Sequence, residues 1–441
     1  MDLKASAAEL GREIGKGRID PVELTEAFLE AIANHPDSHR IYARTMPERA
    51  RAEAAAAAHR ARNGTRKGPL DGVPVSWKDL FDTAGVATES GSLLLKGRTP
   101  VRDAEVLRNA AGAGLVCLGK THQTELAFSG LGINIRTATP PNAIAPELAP
   151  GGSSSGAAVS TALGLAAAGI GSDTGGSVRI PAVWNDLVGL KTASGDLSAI
   201  GTVPLAARFD TVGPLCHTVE DAALLYAVLA NRPATDLAGA SLAGLRVLAL
   251  EGNSIKPVDD APVAAFESAL SRLSAAGVTI ETASLPSVEE AMPLAGVLYT
   301  TEAYATWRTE IEANPDAMDP RVLARFRAGA QHSGADFIAA WLKLDALRAD
   351  YHARTAGFDA VLLPTAPILP PNAQKLIAED DYFVENNLLA LRNTRVGSLM
   401  GSAALTLPTG TPHCGIMALV PPERTRLLLR IGAAMERALA A

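Results

Sequence analysis

Residues 151–179 read GGSSSGAAVSTALGLAAAGIGSDTGGSVR, two serine-bearing glycine turns joined by a run of small side chains. Glycines packed around a serine let the backbone reach positive φ and let a substrate come close to main-chain N–H groups. Successive N–H groups aimed into one concavity can hold an oxyanion. We read Ser177 as a nucleophile and Ser153 as its proton relay. The segment between them, 157–170, is apolar but built from Ala, Gly and Ser, which suits close packing better than a membrane span.

Working outward, 441 residues allow one large domain or two ordinary ones. A composition of 47% hydrophobic and 20% charged residues is that of a soluble globular protein. Aromatics make up only 4%, so the core has to be assembled from small and aliphatic side chains. A net charge of −7 speaks against nucleic-acid binding, which wants a basic face. The three cysteines, Cys117, Cys216 and Cys414, are far apart and form no CxxC pair, which fits a reducing compartment. No apolar leader is visible at the N-terminus, and the expected location is cytoplasmic.

The periodicity predicts helices at 21–34, with Asp20 as N-cap and Pro21 at the first turn, and at 47–62. A helix is expected at 103–113 with Asp103 as its cap, others at 219–230 and 387–401, and a final one from about 423. Buried strands are predicted at 73–77 and 115–118, and further strands at 188–190, 245–250, 278–281, 360–363, 404–407 and 416–420. Residues 125–142 read as a loop suited to lining a cleft, and 231–243 as a seam. Strands alternating with helices imply a layered α/β domain with a parallel or mixed sheet.

Two other motifs point elsewhere. Residues 114–121, GLVCLGKT, satisfy the P-loop pattern. The four residues between its glycines are apolar and read as a strand, not a phosphate cradle, which speaks against nucleotide binding and leaves a P-loop protein as a remote alternative. Residues 152–156, GSSSG, fit the GxSxG elbow of esterases with Ser154 as nucleophile, but Pro150 spoils the strand such an elbow requires. The bland reading of these serines is a capped helix start. The eight histidines show no metal-ligand spacing, and His122 and His217 read as structural.

Taken together, GVPVSWKD (72–79), GGSSSGAA (151–158), GSDTGGSVRIPA (171–182) and FDTVGPLCHTVEDAA (209–223) resemble the amidase signature family. Weaker similarity continues at LLPTAPI (362–368) and RNTRVGSLMGSAALTLPTG (392–410). The 24-residue separation of Ser153 and Ser177 matches the family's relay and nucleophile. The resemblance implies one α/β domain over 1–441, with a mixed sheet flanked by helices. It also implies a signature core at 68–226, and we expect the helix-rich 231–356 to cover the substrate cleft. Lys78 matches the family's catalytic lysine, and Ser153 its relay serine behind a cis peptide bond. The backbone N–H groups of Thr174, Gly175, Gly176 and Ser177 match its oxyanion hole, and Asp173 and Arg179 are expected as supports.

The function implied is hydrolysis of a carboxylic amide, without metal or cofactor, on a small-molecule substrate. No nucleic-acid or membrane partner is expected, and a homodimer is the assembly left open. The alternative within the fold is an amidotransferase A-type subunit. Residues 184–186 (Trp-Asn-Asp) and 191–193 (Lys-Thr-Ala) depart from the family pattern and are expected to reshape the acyl pocket.

Overall fold

The computed structural model describes residues 1–256 and 258–440. Eleven strands form one sheet: β1 (Tyr42–Thr45), β2 (Pro74–Lys78), β3 (Val116–Thr121), β4 (Ala168–Asp173), β5 (Val188–Lys191), β6 (Thr211–Cys216), β7 (Arg246–Glu251), β8 (Thr279–Ser284), β9 (Ala360–Pro364), β10 (Ala403–Pro408) and β11 (Gly415–Val420). Their spatial order is β1-β3-β2-β4-β6-β5-β10-β11-β9-β7-β8. β3, β2 and β4 run parallel, as do β9, β7 and β8; the strands between them are joined by antiparallel pairings. The mixed α/β sheet expected from the sequence is the one observed.

Side-chain alternation builds the layers. On β11, Ile416, Ala418 and Val420 enter one apolar cluster together with Ala403, Leu405 and Leu407 of β10. Met417 and Leu419 enter a second, with Ala404. The C-terminal helix Thr425–Ala440 adds Leu428 and Leu429 to the first, and Leu294–Ala313 and Gly334–Thr355 add Leu298 and Leu344 to the second. Period-two strands buried on both faces therefore give three layers.

Most predicted elements appear within a few residues, and the exceptions have physical causes. The helix expected at 103–113 is Glu105–Gly112 with Ala104 at its cap position. Asp103 is instead drawn to Arg49, Oδ2 to Nη2 2.9 Å, and accepts from Ala84 N. The helix expected at 387–401 is two, Asp380–Ala390 and Arg392–Leu399. The strand placed at 73–77 is shifted by one, so Lys78 is its last residue. β1, β4 and β6 escaped sequence reading.

β4 explains why. Its sequence, AGIGSD, has poor strand propensity, yet all six residues are buried. Helix Ser155–Ala162 lies against it, and a Cβ at Gly171 would meet Ser154 Oγ at 2.6 Å and Leu215 Cδ1 at 2.9 Å. Glycine is needed for that approach, and tertiary packing overrides local preference.

Candidate active site

β2 and β4 are parallel neighbours, with Trp77 opposite Ile170, so their carboxyl ends lie side by side. Lys78 ends one strand, while Ser172 and Asp173 end the other. Ligand sites in α/β sheets gather at such strand ends. Lys78 Nζ lies 2.7 Å from Ser153 Oγ and 2.8 Å from Ser172 Oγ, and its side chain is fully buried. Burial pushes the ammonium down to about 7, against the pull of Asp173 and Asp210 in the other direction. Ser172 was not singled out by sequence; it shares a strand end with Asp173, and only the β2–β4 register reveals its partner.

The first glycine turn brings Ser153 to Lys78. The Gly152–Ser153 peptide bond is cis, as the resemblance implied. Ser153 O accepts from Thr124 N at 3.2 Å. Ser154 begins the helix but does not cap it with its side chain. Its hydroxyl reaches across to β4 instead, donating to Ser172 O at 3.1 Å. No strand leads into Ser154, so the geometry of an esterase elbow is absent there.

The second turn follows β4 directly and is organised by Asp173. Its carboxylate accepts from Gly176 N (2.8 Å) and Val178 N (3.0 Å), and pairs with Arg179 Nη2 at 2.9 Å. Both side chains are fully buried. Burial raises the Asp173 carboxyl, but Arg179, Lys191 and the Val178 amide outweigh it and bring it to about 2. Arg179 Nη1 donates to Thr394 O (2.7 Å), and Thr394 Oγ1 donates to Gly175 O (2.6 Å), so the loop is held from both sides.

This changes one expectation. The Gly176 N–H is already given to Asp173, so it does not serve as a free donor. The N–H groups of Thr174, Gly175 and Ser177 have no acceptor among the described residues. Three of the four expected N–H groups are therefore left without an acceptor, and the fourth is occupied. Thr174 is anchored by its hydroxyl, which donates to Asp210 Oδ1 at 2.5 Å.

Ser177 itself is 4% exposed and lines a cavity of ≈ 30 Å³ with Thr174, Gly175, Phe128, Tyr299 and Arg325. Its Oγ makes no hydrogen bond among the described residues; the link to the first turn is Ser154 N donating to Ser177 O at 3.2 Å. Lys78 and Ser153 are thus in direct contact, and Ser177 sits in the adjoining turn. Ala127, Phe128 and Ser129 line the cavity from within the loop predicted for that role. Arg325, Arg395 and Tyr299 also line it, from helices far along the chain, and no local pattern marked them.

Trp184, Asn185 and Asp186 lie elsewhere. Trp184 is buried against Leu131, Ile133 and Phe383, and Asn185 Nδ2 donates to Pro150 O and Pro181 O at 2.8 Å. Lys191 donates to Thr192 O and Ser402 O at 3.0 Å. None of these lines the cavity at Ser177, so the expected reshaping of the acyl pocket does not come from direct contact.

The other motifs resolve plainly. Gly119, Lys120 and Thr121 belong to β3, and buried Lys120 donates to Phe81 O (2.8 Å) and pairs with Asp79, so residues 114–121 form no phosphate cradle. His122 is pushed down to about 4 by burial. Among the described residues no three His, Cys, Asp or Glu side chains gather as a metal site, and no helix is long and apolar enough to cross a membrane.

A family model described as Amidase matches residues 23–416. The chain is 33% identical over 444 residues to a 2-amino-5-chloromuconic acid deaminase of Comamonas testosteroni, covering 98% of this chain and 95% of that one. It is 29% identical to the A-type subunit of the glutamyl-tRNA(Gln) amidotransferase of Chloroflexus aggregans, covering 99% and 96%. Among solved structures, an amidase superposes with a TM-score of 0.88 at 29% identity over 98% of this chain and 99% of that chain. A peptide amidase bound to chymostatin superposes at 0.82 and 26% identity, over 99% and 98%. The chain belongs to the amidase family and is a hydrolase of amide carbon–nitrogen bonds.

Proposed function

We propose that this protein hydrolyses a carboxylic amide to an acid and ammonia or an amine through an acyl-enzyme on Ser177, with Ser153 as proton relay and Lys78 as base. The observation that carries the reading is the buried Lys78 amine, held 2.7 Å from Ser153 Oγ and titrating near 7. A serine hydroxyl is a weak nucleophile and needs a base, and lysine is one only when neutral. Burial favours the neutral amine that this step requires.

In this mechanism Lys78 takes a proton from Ser153 as Ser153 takes one from Ser177. Ser177 Oγ bonds to the carbonyl carbon. The N–H groups of Thr174, Gly175 and Ser177 receive the oxyanion, a contribution of about 3–4 kcal/mol for each well-placed donor. Collapse of the tetrahedral intermediate breaks the C–N bond while Ser153 returns a proton to the departing amine. Water then attacks the acyl-enzyme and releases the acid. The Ser153–Ser177 proton step needs the Ser177 hydroxyl to turn toward Ser153, and catalytic hydrogen bonds commonly tighten only in the complex. Asp173 and Arg179 act as supports, fixing the turn rather than reacting. The helix-rich 231–356 covers the cleft, contributing Tyr299 and Arg325 to its wall.

Similarity to an amidotransferase component over 99% of the chain favours a second reading, the same chemistry inside a larger assembly. Ammonia release from simple amides by the purified chain separates the two. Free-standing turnover that disappears in Ser177→Ala supports the hydrolase. Turnover seen only with added partner proteins supports the amidotransferase. Turnover that survives Ser177→Ala contradicts both.

A further inference from the structure

We propose that Glu125 is a positioning residue for the amide substrate: its buried side chain ties the turn Glu125–Ala127 to the start of the helix Pro320–Arg327 and so fixes two walls of the cavity at Ser177. This rests on the reading above of Ser177 as the reacting centre, and adds a residue that reading does not use.

Glu125 is 1% exposed and does not itself line the cavity. Ala127, Phe128 and Ser129, which follow it, do line it, and so does Arg325 on the helix. Both oxygens of Glu125 are spent on other elements. Oε1 accepts from the Ser92 hydroxyl at 2.7 Å, and Oε2 accepts from Asp319 N at 2.8 Å, 194 residues away in sequence. Asp319 opens the helix, accepting from Arg321 N at 2.9 Å. A main-chain N–H at a helix start finds no acceptor within the helix, and Glu125 supplies one here. Arg136 joins the same clamp by donating to Met318 O, one residue earlier.

The turn needs holding. Leu126 and Ala127 are successive non-glycine residues at φ of 44° and 59°, a left-handed conformation that persists only where the surroundings impose it. Leu126 N donates to Ser90 O at 2.9 Å, close to the Ser92 anchor. The two walls also meet each other. The Phe128 ring lies edge-on to Phe326, 4.8 Å between centroids, and the Arg325 guanidinium lies 4.3 Å from the Phe128 ring centre. Reach, rather than charge, is what the clamp requires. Glu125 makes no ion pair among the described residues, and burial pushes its carboxyl up to about 7. Glutamine has the same length: its oxygen accepts from Asp319 N, and its amide donates to a Ser92 hydroxyl turned to receive it. Aspartate keeps the charge and is one methylene too short to span both partners.

The test uses the full-length chain with Glu125→Gln and Glu125→Asp. It measures kcat and KM for butyramide and hydrogen exchange of the peptides covering 125–129 and 318–327. Glu125→Asp should lower kcat/KM about 10- to 100-fold, mostly through KM, and speed exchange in both peptides while β2 and β4 stay protected. Glu125→Gln should match wild type in both readouts. Glu125→Asp indistinguishable from wild type overturns the clamp. Glu125→Gln as impaired as Glu125→Asp also overturns it, and so does faster exchange throughout the chain. If Glu125→Asp does not fold, Ser92→Ala, which frees one end of the clamp, takes its place: faster exchange in the same two peptides upholds the proposal and unchanged exchange overturns it. Turnover that survives Ser177→Ala contradicts the acyl-enzyme reading and leaves the clamp to the exchange result. If no amide is turned over, exchange again decides, with loosening confined to the two peptides upholding the clamp and its absence overturning it.

Discussion

Lys78 concentrates the electrostatic argument. An ammonium has no lone pair, so activity is lost as pH falls through the folded pKa and regained above it. The kcat/KM profile is expected to rise through an apparent pKa of about 7 and to lose this limb in Lys78→Met. A flat profile between pH 5 and 9 would contradict the assignment. Asp173 behaves in the opposite sense. Its carboxyl is depressed below the ordinary 3.8 to about 2, so its contribution to stability is complete above about 4 and lost as pH falls through 2. Asp173→Asn leaves Arg179 buried without its anion and should cost about 3–5 kcal/mol, read as a lower denaturation midpoint in urea. Ser153 and Ser177 stand out as candidates in the sequence because their glycine turns carry a spacing, and Lys78 only through the resemblance to the amidase signature family. Ser172, Arg325 and Arg395 do not, because their significance arises only where separate elements meet.

Elements differ in how far they announce themselves. The helix Pro21–Asn34 carries its own start signal: Asp20 accepts from Val22 N at 2.7 Å and Pro21 opens the first turn. β10 and β11 carry branched and aliphatic runs. β4 carries neither, and its strand character comes from β2 on one side and β6 on the other. Its glycines exist for the helix that rides on it. Gly171→Val should therefore destabilise the chain by more than the 1–3 kcal/mol typical of overpacking, since the nearest obstacles include Ser154, on which the first turn depends. A chemical denaturation midpoint unchanged from wild type would show that the helix and strand are not in such contact. Asp103 shows the converse: its two carboxylate oxygens are taken by Arg49 at 3.1 and 2.9 Å, and it does not cap the helix that follows.

At the scale of the molecule, eleven strands share one sheet, and the apolar clusters on its two faces meet through β10 and β11. Unfolding is therefore expected as one transition, with far-UV circular dichroism and tryptophan fluorescence coinciding in urea; separated curves would mean two folding units. The same continuity lets helices from 294–327 and 392–399 wall the cavity at Ser177, in the turn that follows β4. The overall class was legible because strand and helix periods alternate, whereas the closing of the cleft depends on long-range packing that no window of sequence contains. The most direct test weighs the whole chain. Acid-quenched turnover of a slow amide, followed by intact-mass and peptide analysis, should show one added acyl group on the peptide bearing Ser177, absent in Ser177→Ala. An acyl group on Ser154, or steady hydrolysis with the same covalent yield in Ser177→Ala, would contradict the account.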